Sequence, residues 1–477
     1  MKHWKFCGVA LVALATSPLF AKEIVVAQVA PFGGPLAISG RDFNLGAMIA
    51  FDEINARGGI AGNRLKLISR DDGYRSADTA QHVSQLIAQD KPIALIGMWG
   101  AENIAAVVDK GMLVNSGLPV VGVRSGVAAL RNNPNLFHVR ASYRDEVQRI
   151  LDQIRTMGST RIAVVYEDDG FGKEAWVDVQ EMLATRSLKA AAVAVQPKNS
   201  LNVDSAVSTI AVSQPQAVLL VANTPVAAAM IKALKGKKLP LFIFATSTVD
   251  AEQLVAQLGD VAAGVAVAQS VPNPYKATAP VARAFQNRLK ALGLPAERGN
   301  FASLEGYIVA QVVAEGLKRS GRDPSTKDLV RGLESMKQED LGGFVVDFAP
   351  NQHEGSRYVD LSLIGAGEHI RQKSGAIEMT KLSKILACLL MAGTAAAVCA
   401  QGSVVLKLNH TDTPSGARHL ASELFARKIE DYSKGKYRIL VFHSGQLGND
   451  PQSIKAVTEG KLDFTVSATG SFSGLVP

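Results

Sequence analysis

Glu23-Ile-Val-Val-Ala-Gln-Val-Ala30 runs straight into Pro31-Phe-Gly-Gly-Pro35. A near-continuous apolar, β-branched run suits a strand of a parallel sheet covered on both faces. The Pro/Gly cluster ends it. Arg41–Ala56 then carries Leu45, Ile49 and Ile54 at helical spacing and stops at Arg57-Gly58-Gly59, which reads as a helix with a glycine stop. Arg64–Arg70 alternates as a strand, Ala77–Gln89 is helical, and Ile93–Ile96 is a strand closed by Gly97. Ala101–Val114 reads as a helix, and Pro119-Val-Val121 as a strand closed by Gly122. Such alternation argues for an α/β fold with doubly wound parallel sheets and ligands at the C-terminal ends of the strands.

A second series starts near Tyr143. Helices are expected over Glu146–Met157, Gly172–Thr185, Val203–Val212 and Pro225–Leu234. Strands are expected over Arg161–Tyr166, Ala190–Val195, Ala217–Val221 and Leu241–Phe244. Two series of similar size imply two lobes. Val281–Leu292 and Ser303–Arg319 read as amphipathic helices. Gly342–Phe348 and Arg357–Ile364 read as a closing pair of strands.

The chain has 477 residues, is 47% hydrophobic and 20% charged, and is therefore globular rather than disordered. Its net charge is +8, but the cations are interspersed with Asp and Glu, so nucleic-acid binding is not indicated. The tightest basic group, Lys232, Lys235, Lys237 and Lys238 around Gly236, fits a helix C-terminus with a left-handed glycine cap. All three cysteines, Cys7, Cys388 and Cys399, fall in two segments with the pattern of export signals. One is the N-terminus, with Lys2 and Lys5 before an apolar run. The other is Met379–Ala400, with Lys381 and Lys384 before its own apolar run and Val398-Cys-Ala400 behind it. For the internal segment a fused export signal, a membrane anchor and a buried core helix all remain open.

No phosphate loop, His-Glu-x-x-His or Gly-x-Ser-x-Gly motif is present. The histidines are scattered along the chain, and neither a metal nor another cofactor is expected. Asp71-Asp72 and Glu167-Asp168-Asp169 read as solvated acids at strand ends.

Val29-Ala-Pro-Phe-Gly-Gly-Pro-Leu-Ala37, Ala50-Phe-Asp-Glu-Ile-Asn-Ala-Arg-Gly-Gly-Ile60, Asp71-Asp72-Gly73, Val139-Arg-Ala-Ser-Tyr-Arg-Asp145 and Tyr166-Glu-Asp-Asp-Gly-Phe-Gly172 resemble the type I periplasmic binding proteins of ABC importers, the leucine/isoleucine/valine-binding family. The likeness covers about 23–372. It implies two α/β lobes joined by three crossovers, with a ligand trapped between them. After Ala400 the chain resembles a different family. Val405-Leu-Lys-Leu-Asn-His-Thr-Asp412, Ser444-Gly-Gln-Leu-Gly-Asn-Asp450 and Gly460-Lys-Leu-Asp463 are similar to the start of TRAP-transporter receptors of the C4-dicarboxylate type. That family's carboxylate-clamping arginine has no counterpart here. The C-terminal module is therefore expected to be truncated, unable to bind substrate and open to proteases.

The first resemblance implies that strand-end loops hold a ligand's α-carboxylate. They fall on Gly97-Met-Trp-Gly-Ala-Glu-Asn103 and Gly122-Val-Arg-Ser-Gly-Val127, each expected to lead into a helix N-terminus that favours an anion. Ser125 offers a hydroxyl, Gly126 allows close approach, and Arg124 at the cleft mouth could fork onto a carboxylate. Ala101 stands where the family often has Ser or Thr. Trp99, Tyr143 and Phe171 bring aromatic faces, and Glu102 or Asp145 could pair an ammonium. Asn103 and Asn223 complete the candidate set. Thr246 stands at the position resembling the family's amine-binding glutamate, a departure from a simple branched-chain amino-acid site.

These readings divide the chain into a signal peptide (1–21), a binding protein (22–372), a linker (373–378), the signal-like segment (379–400) and a truncated TRAP module (401–477). Lobe 1 is expected over about 22–141 and 268–345, and lobe 2 over about 142–267 and 346–372. The expected function is that of an exported, monomeric, non-enzymatic receptor in the periplasm. It would pass an amino acid or related small carboxylate to an ABC permease. A ligand sensor of the same fold, or a dicarboxylate receptor built on the C-terminal module, are the alternatives. Membrane association could come through 379–400.

Overall fold

A computed structural model describes residues 22–34, 36–276, 278–365 and 404–472. The candidate signal at 1–21, the linker at 373–378 and the signal-like segment at 379–400 lie outside them. No helix among the described residues is long and apolar enough to cross a membrane.

The first lobe opens with β1 (Glu23–Ala30), α1 (Ala37–Ala56), β2 (Arg64–Asp71), α2 (Ser76–Gln85), β3 (Ala94–Ile96), α3 (Ala101–Val108), α4 (Met112–Ser116), β4 (Val120–Val121) and β5 (Leu136–Phe137). Its strands form one parallel sheet in the order β2-β1-β3-β4-β5. Burial on both faces accounts for the unbroken apolar run of β1. The helix expected over Ala101–Val114 is two helices, because Gly111 takes a left-handed φ of 65° between them.

The second lobe holds α5 (Tyr143–Thr156), β6 (Ile162–Glu167), α6 (Gly170–Thr185), β7 (Ala192–Gln196), α7 (Asp204–Ser213), β8 (Ala217–Val221), α8 (Thr224–Gly236), β9 (Phe242–Ala245), α9 (Ala251–Leu258) and β10 (Val265–Gln269). The chain then returns to the first lobe through α10 (Pro280–Ala291), α11 (Phe301–Lys318), α12 (Thr326–Glu334), β11 (Glu339–Asp340) and β12 (Val345–Val346). It crosses once more to add β13 (Asp360–Leu363) to the second sheet, whose order is β13-β10-β9-β8-β6-β7. The two closing strands therefore do not pair with each other. β12 pairs with β11, and β13 runs antiparallel to β10, each strand completing a different lobe. At the end of α8 the left-handed residue is Lys238 (φ 52°), and Gly236 is still helical.

Two glycines allow the tightest helix crossing. A Cβ on Gly46 in α1 would lie 1.7 Å from the Ser303 carbonyl oxygen, and one on Gly306 in α11 would lie 1.9 Å from that of Phe43. The backbones thus touch directly, and Phe43, Leu45, Leu304 and Tyr307 pack around the contact at 0–1% exposure. Each such side chain contributes about 1.5–3 kcal/mol by burial. Gly46→Ala would force the helices apart.

The C-terminal module contains β14 (Val404–His410), α13 (Ala417–Tyr432), β15 (Tyr437–Phe442), α14 (Asp450–Thr458) and β16 (Phe464–Val466), with a parallel sheet ordered β15-β14-β16. It does not stand apart. Phe442 is fully buried in the first lobe's core. His443 Nε2 lies 2.9 Å from Asn44 Oδ1, and Gln446 donates to the same oxygen at 3.2 Å. Arg438 pairs with Asp52, and Arg64 with Glu430.

Candidate functional site

The lobes enclose a cavity of about 110 Å³ at the C-terminal ends of both sheets. Trp99, Ala101, Glu102, Asn103, Arg124, Ser125, Tyr143, Phe171 and Asn223 all line it. Gly126, Asp145 and Thr246 do not. A Cβ on Gly126 would lie 2.6 Å from the Tyr143 backbone, so this glycine seats α5 rather than a ligand. Asp145 is spent on a capping box with Ser142 at the start of α5. Thr246 is fully buried, 2.8 Å from the Thr248 hydroxyl.

The two carboxylate loops differ. Gly97–Asn103 leads into α3, but Gly122–Val127 leads only into a three-residue 3₁₀ turn at Ala128–Leu130, so only one of these two loops feeds a helix N-terminus. Ser125 is buried at the cavity wall. Of the strand-end acids, Asp168 is solvated as expected, but Asp72 and Glu167 are buried. Asp72 accepts hydrogen bonds from Tyr74 N–H (2.9 Å) and the Thr79 hydroxyl (2.7 Å). Glu167 accepts them from the N–H groups of Asn199 and Asn223.

Arg124 is neither exposed nor at the mouth. Its guanidinium sits 4.1 Å over the Trp99 ring and pairs with Glu305 of α11. Arg140 continues the chain of charge, 3.7 Å from Glu305 and 3.9 Å from Glu146. It also donates to Ser247 (2.5 Å) and Ser270 (3.1 Å). Burial lowers the Arg124 pKa and Glu305 opposes that. At Arg140 burial is outweighed by Glu305 and Glu146, and its pKa rises.

Several bonds cross from lobe to lobe. The Ser39 hydroxyl of α1 donates to Asp250 at 2.8 Å and accepts from Gln253 at 2.7 Å. Glu102 pairs with Lys198 at 2.7 Å. Asp250 also caps α9 by accepting from Gln253 N–H, while Glu252 of the same helix accepts from the Tyr275 hydroxyl. Burial, and then Asp250, push the Glu252 carboxyl up to about 8. Ser39, Arg140, Asp250, Glu252, Gln269 and Glu305 were not among the residues singled out by sequence. Arg140 sits inside a quoted motif, and Thr248-Val-Asp250 is a visible helix-cap pattern. Glu305 has no local signal, because it lies on an otherwise apolar helix.

Residues 23–365 match the profile of the family described as periplasmic binding protein. The chain belongs to that family. Residues 408–477 match a second profile, bacterial extracellular solute-binding protein, family 7, in keeping with the TRAP resemblance. A substrate-binding periplasmic protein from Ralstonia solanacearum shares 32% identity with this periplasmic binding protein, with a TM-score of 0.67 over 72% of this chain and 98% of the other. An extracellular ligand-binding receptor from Verminephrobacter eiseniae shares 30% over 72% and 98%, with a TM-score of 0.64. Among curated sequences, "Leu/Ile/Val-binding protein homolog 7" of Brucella melitensis is 26% identical over 217 residues, 43% of this chain. The chain spans about half (53%) of the length of that relative. The matches make this a solute-binding receptor of the leucine/isoleucine/valine-binding type.

Proposed function

We propose that this periplasmic binding protein is an exported ABC-importer receptor. It captures an amino acid or related small carboxylate between its lobes and delivers it, as a monomer in the periplasm, to a membrane permease. The observation that carries the reading is the interlobe cavity, together with the side-chain bonds that cross it at Ser39–Asp250 and Glu102–Lys198. A hinge opening at the crossovers would admit the ligand, and closure would present the shut form to the permease. Ser125, with the N-terminus of α3, is the proposed seat of the carboxylate. Trp99, Tyr143 and Phe171 form the aromatic wall, while Arg124 orients that wall through Glu305 rather than clamping the ligand directly. A thermal-shift screen of amino acids, aromatic acids and dicarboxylates tests the reading. A ligand at a hundred times its Kd adds about 2.7 kcal/mol of apparent stability. No shift from any of the three classes would sink it.

A further inference from the structure

The cavity's charges are unevenly paired. Arg124 and Arg140 hold Glu305, and Lys198 holds Glu102. Asp250 and Glu252 line the same cavity, yet among the described residues neither forms an ion pair. Around this corner stand Ser39 and Asp42 from α1, Tyr275 from the crossover, and the Phe301 N–H and Glu305 from α11. Asp42 is itself occupied by Arg298 (3.3 Å) and Asn300 (2.6 Å). Arg124, a nearby cation, feels Asp250 electrostatically but is paired with Glu305, and the other neighbours are hydrogen-bond donors or acids already matched elsewhere. An aliphatic side chain placed here would take water from two carboxyls and offer neither a donor nor a countercharge in return.

A second observation points to the other end of a ligand. Gln269, at the end of β10, lines the same cavity at 6% exposure, and its amide nitrogen Nε2 has no hydrogen-bond partner. An unmatched buried donor asks for an acceptor such as a carboxylate oxygen.

Building on the receptor reading above, we propose that the ligand is an amino acid with a second basic group, its cationic end received by Asp250 and Glu252 and its carboxylate by Gln269 and Ser125. Arrival of the cation would drive the proton from Glu252, since an adjacent positive charge favours the ionised carboxyl. Affinity should therefore rise between about pH 6 and pH 8, and binding should release a proton.

The test is calorimetry on the full chain with L-arginine, L-lysine, L-leucine and L-glutamate, in two buffers of different ionisation enthalpy. The expected result is tightest binding of L-arginine or L-lysine, proton release near neutral pH, and at least a tenfold loss for Glu252→Gln. The melting temperature of Glu252→Gln, measured alone, shows that the variant is folded, and Gln269→Ala should weaken all amino acids alike. L-leucine or L-glutamate binding more tightly than the basic amino acids would overturn the inference and leave the receptor reading standing. So would basic-ligand affinity unchanged in Glu252→Gln. If neither these four nor any compound in the wider screen binds, the receptor reading falls and this inference falls with it.

Discussion

Buried charge is handled differently in the cleft and at the junction with the C-terminal module. In the cleft, arginines and glutamates alternate along Arg124, Glu305, Arg140 and Glu146, and two further carboxyls, Asp250 and Glu252, face a cavity. At the junction Asp52 lies between Arg288 and Arg438, and His410, His419 and His443 are packed together on the module's side. The junction groups face one another across two modules that match different families. The cleft acids face space that a solute can enter. The first arrangement can hold surfaces together, whereas the second can exchange a proton or a ligand.

Removing one member of the cleft chain should have the largest effect. Glu305→Ala strands Arg124 and leaves Arg140 only the more distant Glu146, and breaking a buried pair costs about 3–5 kcal/mol. Denaturant melts should show that loss in the first module. Arg438→Ala at the junction should cost less, because Arg288 still holds Asp52. Equal losses would mean that the two clusters are not different in kind.

Acid should separate the two regions next. The three histidines were expected from sequence to be scattered, yet His410 Nε2 lies 3.2 Å from His419 Nδ1, and the His419 and His443 rings are 5.4 Å apart. Burial first, then neighbouring cations, hold His410 and His419 near about 4 and His443 well below its usual value. A histidine with a lowered folded-state pKa binds fewer protons folded than unfolded. Its penalty therefore begins as pH falls below about 6.5 and grows until the folded pKa is reached. The junction should loosen between about pH 6 and pH 4, by a few kcal/mol at the lower end. Limited proteolysis across that range should cut within 404–472 first. His443→Gln, which keeps a hydrogen bond to Asn44 within reach, should blunt the effect. Cutting that begins in the first module would contradict it.

The alternation of strand and helix was plain in the sequence because β1, β6 and β8 are buried on both faces and so carry unbroken apolar runs. β4, only two residues long, was still legible as Pro119–Val121 because Gly122 closes it, whereas β5, equally short and without such a stop, leaves too little pattern to find. Nine candidate site residues line the cavity because they follow strand-closing glycines or helix starts, which sequence marks. Glu252, Gln269 and Glu305 enter it through lobe-to-lobe packing, which no local pattern records, and the cap pattern at Asp250 marks a helix start but not the cavity it faces. Docking of the C-terminal module was illegible for the same reason. Asn44 and Asp52 read as ordinary polar positions on α1, and their partners lie far along the chain.

Trp99 offers a milder probe of the cleft. It is 7% exposed, edge-on to Phe43 at 5.7 Å and beneath Arg124. Ligand-driven closure should change tryptophan emission, and Trp99→Phe should remove most of that change while costing about 1 kcal/mol of cation–π and packing energy. Trp176, stacked on Tyr166 at 6.1 Å in the second lobe, is the internal control. A ligand signal that survives in Trp99→Phe would take Trp99 out of the wall.

The smallest effect belongs to the pair that spans the cleft rim. Lys198 and Glu102 meet at 2.7 Å, but their side chains are 34% and 56% exposed. Water and salt screen such a pair, and exposed pairs contribute about 0.2–1 kcal/mol. That energy is available only when the lobes are together, so it biases closure rather than folding. Lys198→Ala should therefore leave the unfolding midpoint of the free protein almost unchanged and weaken ligand binding by less than about fivefold, the equivalent of 1 kcal/mol. The weakening should shrink further as salt is raised towards about 1 M, where the Debye length falls to about 3 Å, comparable to the spacing of the rim charges. Glu305→Ala should show no such salt relief, because its partners are shielded from solvent. A Lys198→Ala loss that is large and salt-independent would place this pair among the buried cleft charges instead of at the rim.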